Sequence, residues 1–261
     1  MNGNTKVTPV IRDIVERSLE EIEDSLEARI VLAFESGARG AGTPSQDSPW
    51  RIHFVFVHSL DWYLRLTPGA DSVDLPVSDD FTLTGWDIGR LVRTMKNENP
   101  GATAWLRSAI AWRADEDLLS RLEALQRRSW QPGQEFRRQL DEGVSTVQGW
   151  PFGHTILLDQ YFTALRATLS ARWIADGRGP LPGDFHELCY DMDADLHEEI
   201  MNLVQKKAES PLSIPLPPSR HSEVFMEAEQ KRLKYLVLPS GVVTSAKPFD
   251  RLFADTVRRF G

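Results

Sequence analysis

Apolar runs that suit β-strands fall only in the early part of this chain, and that asymmetry restricts its fold more than any other feature. Ile30 to Phe34 is a short apolar run that ends in Glu35, Ser36 and Gly37, which predicts a buried strand feeding a tight turn. A loop rich in Gly, Ser and Pro follows from Gly37 to Pro49. Ile52 to Val57 is again apolar and β-favouring, so a second strand pairing near the first is expected, with His53 inside it as a packed or rim histidine.

Helical spacing dominates elsewhere. Thr8 before Pro9 reads as an N-cap with proline at the first helical position, and Ile11, Val15, Leu19, Ile22 and Leu26 then recur on one face. Thr84-Gly85-Trp86-Asp87 reads as a capping box ahead of Ile88, Leu91, Val92 and Met95, which makes Asp87 a cap rather than a catalyst. Asn99 and Pro100 should stop that helix. Trp105, Ile110 and Trp112 lead to another helix near Asp115, with Leu118, Leu119, Leu122 and Leu125 on one side. Strand signals then fade. A long helix is expected over 156–174, ended by Gly177, Gly179 and Pro180, and another around Leu196 to Val204. Pro211, Pro215, Pro217 and Pro218 suggest a stiff connector before two last helices over 224–236 and 249–260. The organisation is α+β, with an α/β domain over 1–125 and a mainly helical domain over 126–261.

Charge narrows the function classes. With 30 Lys and Arg against 38 Asp and Glu, the net charge of −8 argues against a broad phosphate-coating face, though not against a local basic patch. The single cysteine, Cys189, makes no internal disulfide, and no segment has the ~20 apolar residues of a bilayer span or a signal-peptide pattern. A cytoplasmic protein with no membrane partner is therefore expected. Eight tryptophans suggest core or interface anchors.

Several ordered pieces carry a resemblance. They are ESGARGAG at 35–42, QDSPWRIHFVFVHSLDWYL at 46–64, GWD at 85–87, NP at 99–100, WLRSAIAW at 105–112 and YFTALRATLSARWI at 161–174. In this order they resemble nucleotidyltransferases of the RNA-repair-pathway type, a branch of the DNA polymerase β-like superfamily. The resemblance implies a polymerase β-like palm, a small mixed sheet with helices, followed by a helical domain. It also implies a Gly-Ser turn that positions phosphates, an Asp-x-Asp pair opening the next strand and a third Asp on a neighbouring strand. Two divalent cations clamping the attacking and leaving oxygens need such carboxylates, because hard cations take oxygen ligands. Residues i and i+2 of a strand face one side, so Asp-x-Asp aims both carboxylates at one metal pair.

The sequence departs from that pattern at each point. The Gly-Ser turn reads Gly37-Ala38, the two strand-opening carboxylate positions hold Pro49 and Arg51, and the third holds Thr82. The lysine pair that the family tends to carry before Y-x-x-A-L-R is Asp159-Gln160 here. A guanidinium repels cations, by about 8 kcal/mol for a dication 4 Å away at an effective dielectric of 20. Asp47 shares strand parity with 49 and 51 on this reading and would act alone. Arg51 admits two readings: a salt bridge to Glu35 or Asp47, or a metal-free anion site shared with Arg39, which matches the family's Arg after the turn.

Elsewhere, His186 and Cys189 lack a second ligand pair, and Asp191, Asp193 and Asp195 lack the glycine and glutamate of a calcium loop. Arg127 and Arg128 beside Trp130, with Arg137 and Arg138, form the one basic and aromatic cluster suited to RNA or an acidic partner, or else a solvated helix face. The expectation is an inactive nucleotidyltransferase-like subunit that uses no cofactor or metal and binds a protein partner or a nucleic acid end. Its vestigial pocket comprises Gly37, Ala38, Arg39, Asp47, Arg51 and Thr82. The alternative is an active Mg²⁺-dependent enzyme with displaced carboxylates Glu35, Asp47 and Asp61, transferring a nucleotide to RNA or protein.

Overall fold

The computed structural model describes residues 7–67, 69–97, 100–148, 156–211, 215–216, 220–241 and 245–261. In chain order the elements begin with α1 (Pro9–Leu26), β1 (Ala28–Glu35), the single turn α2 (Gly37–Gly40), β2 (Trp50–His58) and α3 (Leu60–Tyr63). Next come β3 (Ser72–Ser78), β4 (Phe81–Asp87), α4 (Ile88–Lys96), a 3-10 helix (Pro100–Arg107), β5 (Ala111–Ala114) and α5 (Glu116–Ser129). The remainder is α6 (Pro132–Val147), β6 (Ile156–Leu157), α7 (Leu158–Ala175), α8 (Phe185–Leu188), α9 (Ala194–Ala208), β7 (Pro215–Leu216), α10 (Arg220–Leu233) and α11 (Lys247–Phe260).

The chain forms two compact units, and neither is one continuous segment. One holds Thr5–Gly40, Pro49–Trp130 and Val242–Gly261; the other holds Ala41–Ser48 and Gln131–Gly241. The main crossing at 130/131 lies a few residues beyond the 125/126 boundary expected from sequence, and α11 falls in the first unit although it ends the chain.

The first unit is built on a five-stranded sheet in the order β3-β4-β2-β1-β5. Its β2–β4 pairing is parallel and the others are antiparallel. Strand alternation splits β2 between two cores. Ile52, Phe54 and Phe56 pack with Val15, Leu19 and Ile22 of α1. Val55 and Val57 pack with Ile88, Leu91, Leu122 and Leu252 of α4, α5 and α11. The parity places Arg51 and His53 on the second face. Gly85 lets β4 approach β2, because a Cβ there would overlap the ring of Phe54.

The second unit is helical. Central α7 buries Leu158, Tyr161, Phe162, Leu165, Leu169 and Ile174, and its neighbours α6, α8 and α10 pack around it. Cys189 is buried, its thiol pushed up to about 12 by burial, with its hydrogen on the Phe185 carbonyl at 3.6 Å. Asp193 caps α9 through the Leu196 N–H.

Three local expectations are corrected. Thr84 lies inside β4 and Asp87 itself caps α4, accepting from the Gly89 N–H at 2.7 Å, so the expected capping box is replaced by a strand running straight into a helix. Pro215 and Leu216 pair with Leu157 and Ile156, so part of the expected proline connector is a short strand. β2 begins only at Trp50 and Asp47 sits in a turn before it, so Asp47 has no strand parity with Arg51. Asn99, Pro217 and Pro218 lie outside the described residues. Among the described residues, no helix is long and apolar enough to cross a membrane.

Candidate functional site

The site forms where β1 ends and β2 and β4 begin. Gly37 takes φ +65°, a backbone conformation that glycine adopts without penalty, and this turns the chain from β1 into α2. The turn is tied to β2 because the Ser36 N–H and hydroxyl both reach the Arg51 carbonyl, at 2.8 and 3.0 Å. A Cβ on Gly37 would stand 3.8 Å from Cδ of Arg51, so the turn and the arginine stem are neighbours.

Arg51 pairs in register with Thr82 across the parallel β2–β4 ladder. Thr82 shares a face with Trp86, which packs on the α4–α5–α11 core, and Arg51 faces the same way. Gly37, Arg51 and Thr82 thus come together, with Ala38 and Arg39 in the adjoining turn of helix. Arg51 is exposed, and its guanidinium makes no ion pair among the described residues. The expected salt bridge to Glu35 is not formed. Glu35 instead accepts the backbone N–H of Arg51 at 2.8 Å.

Glu35 is the group that sequence reasoning undervalued. It is fully buried, with its second oxygen on the Trp112 indole N–H at 3.2 Å. Burial pushes its carboxyl up to about 7, against the opposing pull of the Arg51 N–H, the Trp112 N–H, Arg39 and Arg51. The Arg39 guanidinium is buried too, 4.2 Å over the Trp50 ring, which meets Trp112 edge-on at 5.7 Å. The signal was present in the sequence as Glu35, Arg39, Trp50 and Trp112, but nothing in their spacing shows that three strands gather them. Beside Arg51 on β2, His53 stacks on Trp105 at 5.3 Å, its Nδ1 has no hydrogen-bond partner among the described residues, and burial lowers its pKa.

The remaining candidates are placed elsewhere. Asp47 is exposed in the turn of the second unit's segment Ala41–Ser48. Asp61 is exposed on α3, beyond the far end of β2, whose nine residues span about 26 Å by the usual strand rise. Arg127 and Arg128 end α5, just before Trp130, while Arg137 and Arg138 lie on α6 of the other unit. Arg127 pairs with Glu123 at 3.6 Å, and Arg138 lies near Glu135 and Glu142. Among the described residues, no three His, Cys, Asp or Glu side chains gather as a metal site.

A mixed sheet with its Gly turn, strand-opening positions and neighbouring strand in this arrangement is the palm of a polymerase β-like nucleotidyltransferase. The chain belongs to the RNA repair pathway DNA polymerase beta family, whose sequence pattern matches residues 11–255. It is also similar to the uncharacterized protein YcgL of Bacillus subtilis (strain 168), with 29% identity over 191 residues, 72% of this chain and 74% of that one.

Proposed function

We propose that this chain is a nucleotidyltransferase-like palm that no longer transfers nucleotides and serves as an interaction or regulatory subunit for a protein partner or a nucleic acid end. The observation that carries the reading is the in-register pair of Arg51 and Thr82, which the resemblance aligns with the second and third carboxylate positions, Pro49 aligning with the first. Two dications held about 4 Å apart need several oxygen ligands. A guanidinium in that place supplies repulsion instead, about 8 kcal/mol per dication at 4 Å and an effective dielectric of 20. Glu35 does not replace the lost ligands, because both its oxygens are engaged in a buried position and its raised pKa favours the neutral form. Incubation with each labelled nucleoside triphosphate, Mg²⁺ or Mn²⁺ and pooled RNA should give no labelled RNA or protein. Label transfer abolished by Asp47→Ala would support the enzyme reading with displaced carboxylates.

A second reading rests on Arg51 alone. Its exposed guanidinium, with no ion pair among the described residues, suits a phosphate bound without metal beside the Gly37 turn. Calorimetry with ATP in EDTA tests it: heat lost in Arg51→Ala supports the anion site, and no heat removes it.

A further inference from the structure

A separate groove of about 430 Å³ lies between α5 and α11 and shares no residue with the strand-opening site. Leu125 and Leu252 form part of its floor, and Arg121, Arg128, Lys247 and Arg251 are the charged groups that line it. No carboxylate is among the lining side chains, in a chain whose net charge is −8. The helical repeat explains the convergence: Arg121 and Arg128 are seven residues apart, two turns on one face of α5, and Lys247 and Arg251 are four apart on α11.

Arg121 and Arg251 meet nearby acids. Asp255 is shared by Arg121 at 2.8 Å, Arg258 at 3.6 Å and Arg251 at 3.9 Å. Asp117, at 4.0 Å from Arg121, is held more closely by Arg259 at 3.0 Å. The Lys247 ammonium makes no ion pair among the described residues. Lys247 also opens α11, where the helix dipole adds partial positive charge. The charged side chains that line the groove are all cationic, which suits an anionic occupant.

We infer that this groove grips a nucleic acid strand by its phosphates. The lining side chains offer donors and apolar surface and no acceptor. An acidic peptide would bring N–H groups that find no side-chain acceptor there. A phosphodiester backbone brings acceptors and charge, and arginine forks match phosphate oxygens. Contacts of this kind carry no base information, so the grip is independent of sequence. The inference holds whether or not the palm transfers nucleotides.

The test is fluorescence anisotropy of a labelled single-stranded RNA between 50 and 200 mM salt, with single-stranded DNA of equal length as a second probe. Lys247→Glu with Arg251→Glu should weaken RNA binding more than tenfold at the lower salt. Lys247→Ala with Arg251→Ala should reduce the slope of log affinity against log salt by about 1.4, the loss of two phosphate contacts. The matched pair Arg65→Ala with Lys96→Ala, which removes the same charge elsewhere, should change binding less than threefold, and DNA should bind within a few-fold of RNA. Absence of RNA binding, equal losses in the two alanine pairs, or polyglutamate competing as well as RNA would overturn the inference. Circular dichroism on each variant separates these outcomes from misfolding, which the exposure of Lys247 and Arg251 makes easy to avoid.

Discussion

Arg51 stands directly across the parallel β2–β4 pairing from Thr82, and the backbone N–H of that same arginine is held by the buried carboxyl of Glu35. One residue therefore ties the sheet to the turn through its main chain and presents a cation through its side chain.

Glu35 should make stability depend on pH. Its folded pKa of about 7 exceeds its ordinary value of 4.5, so the folded state binds the proton more tightly. Its contribution is fully present below about pH 4.5 and is lost as pH rises to about 7, roughly 3 kcal/mol in all. His53 and His58, both lowered by burial, act in the opposite sense and lose their contribution as pH falls through their own range. Urea unfolding between pH 5 and 8 should therefore show a steeper decline in the native protein than in Glu35→Gln, and the difference isolates Glu35.

Arg39 should be coupled to Glu35. Arg39→Ala removes a buried guanidinium from the Trp50 face and from the field of Glu35, at a cost of about 2 kcal/mol. In the Glu35→Gln background the cost should fall by at least about 0.5 kcal/mol, as expected of neighbours. A double-mutant cycle by denaturant unfolding measures it, and strict additivity would show that Arg39 acts through packing alone.

The sequence made β1, β2 and the helical periods of α1, α4, α5, α7, α9, α10 and α11 readable, because each buries a continuous face with its own period. It hid β3, β4 and β5. β3 is a half-exposed edge strand carrying Pro76, and β5 has only four residues, so neither offers a long apolar alternation. α6 went unread because its buried face includes Glu135, Gln139 and Gly143 as well as Phe136 and Leu140. Within the site, the resemblance pointed to Gly37, Arg51 and Thr82; strand register pairs Arg51 with Thr82, and the Ser36–Gly37 turn lies beside Arg51. The Arg39, Trp50, Trp112 and Glu35 cluster joins α2 with β1, β2 and β5, a juxtaposition that no local pattern encodes.

Asp87 should matter to stability rather than to chemistry. It caps α4 through the Gly89 N–H and accepts the Tyr63 hydroxyl at 2.5 Å, both in a buried setting. Asp87→Ala should cost about 2 kcal/mol, and Tyr63→Phe about 1 kcal/mol, in thermal or urea unfolding.

Gly40 should tolerate no side chain. A Cβ there would overlap the Glu35 carbonyl oxygen and lie 2.8 Å from the Ser108 hydroxyl, so backbone must shift. Gly40→Ala should destabilise the protein by about 1 to 3 kcal/mol, the usual range for overpacking. Urea unfolding reads the loss, and a neutral result would show that the β1–α2 turn is looser than its contacts imply.

The central claim, that the palm has lost its metal pair, is tested most directly by electron paramagnetic resonance of Mn²⁺ titrated into the protein with and without ATP. The account predicts no protein-bound Mn²⁺ beyond the ion carried by the nucleotide itself. Two tightly bound Mn²⁺ per chain, lost on Asp47→Ala, would contradict it.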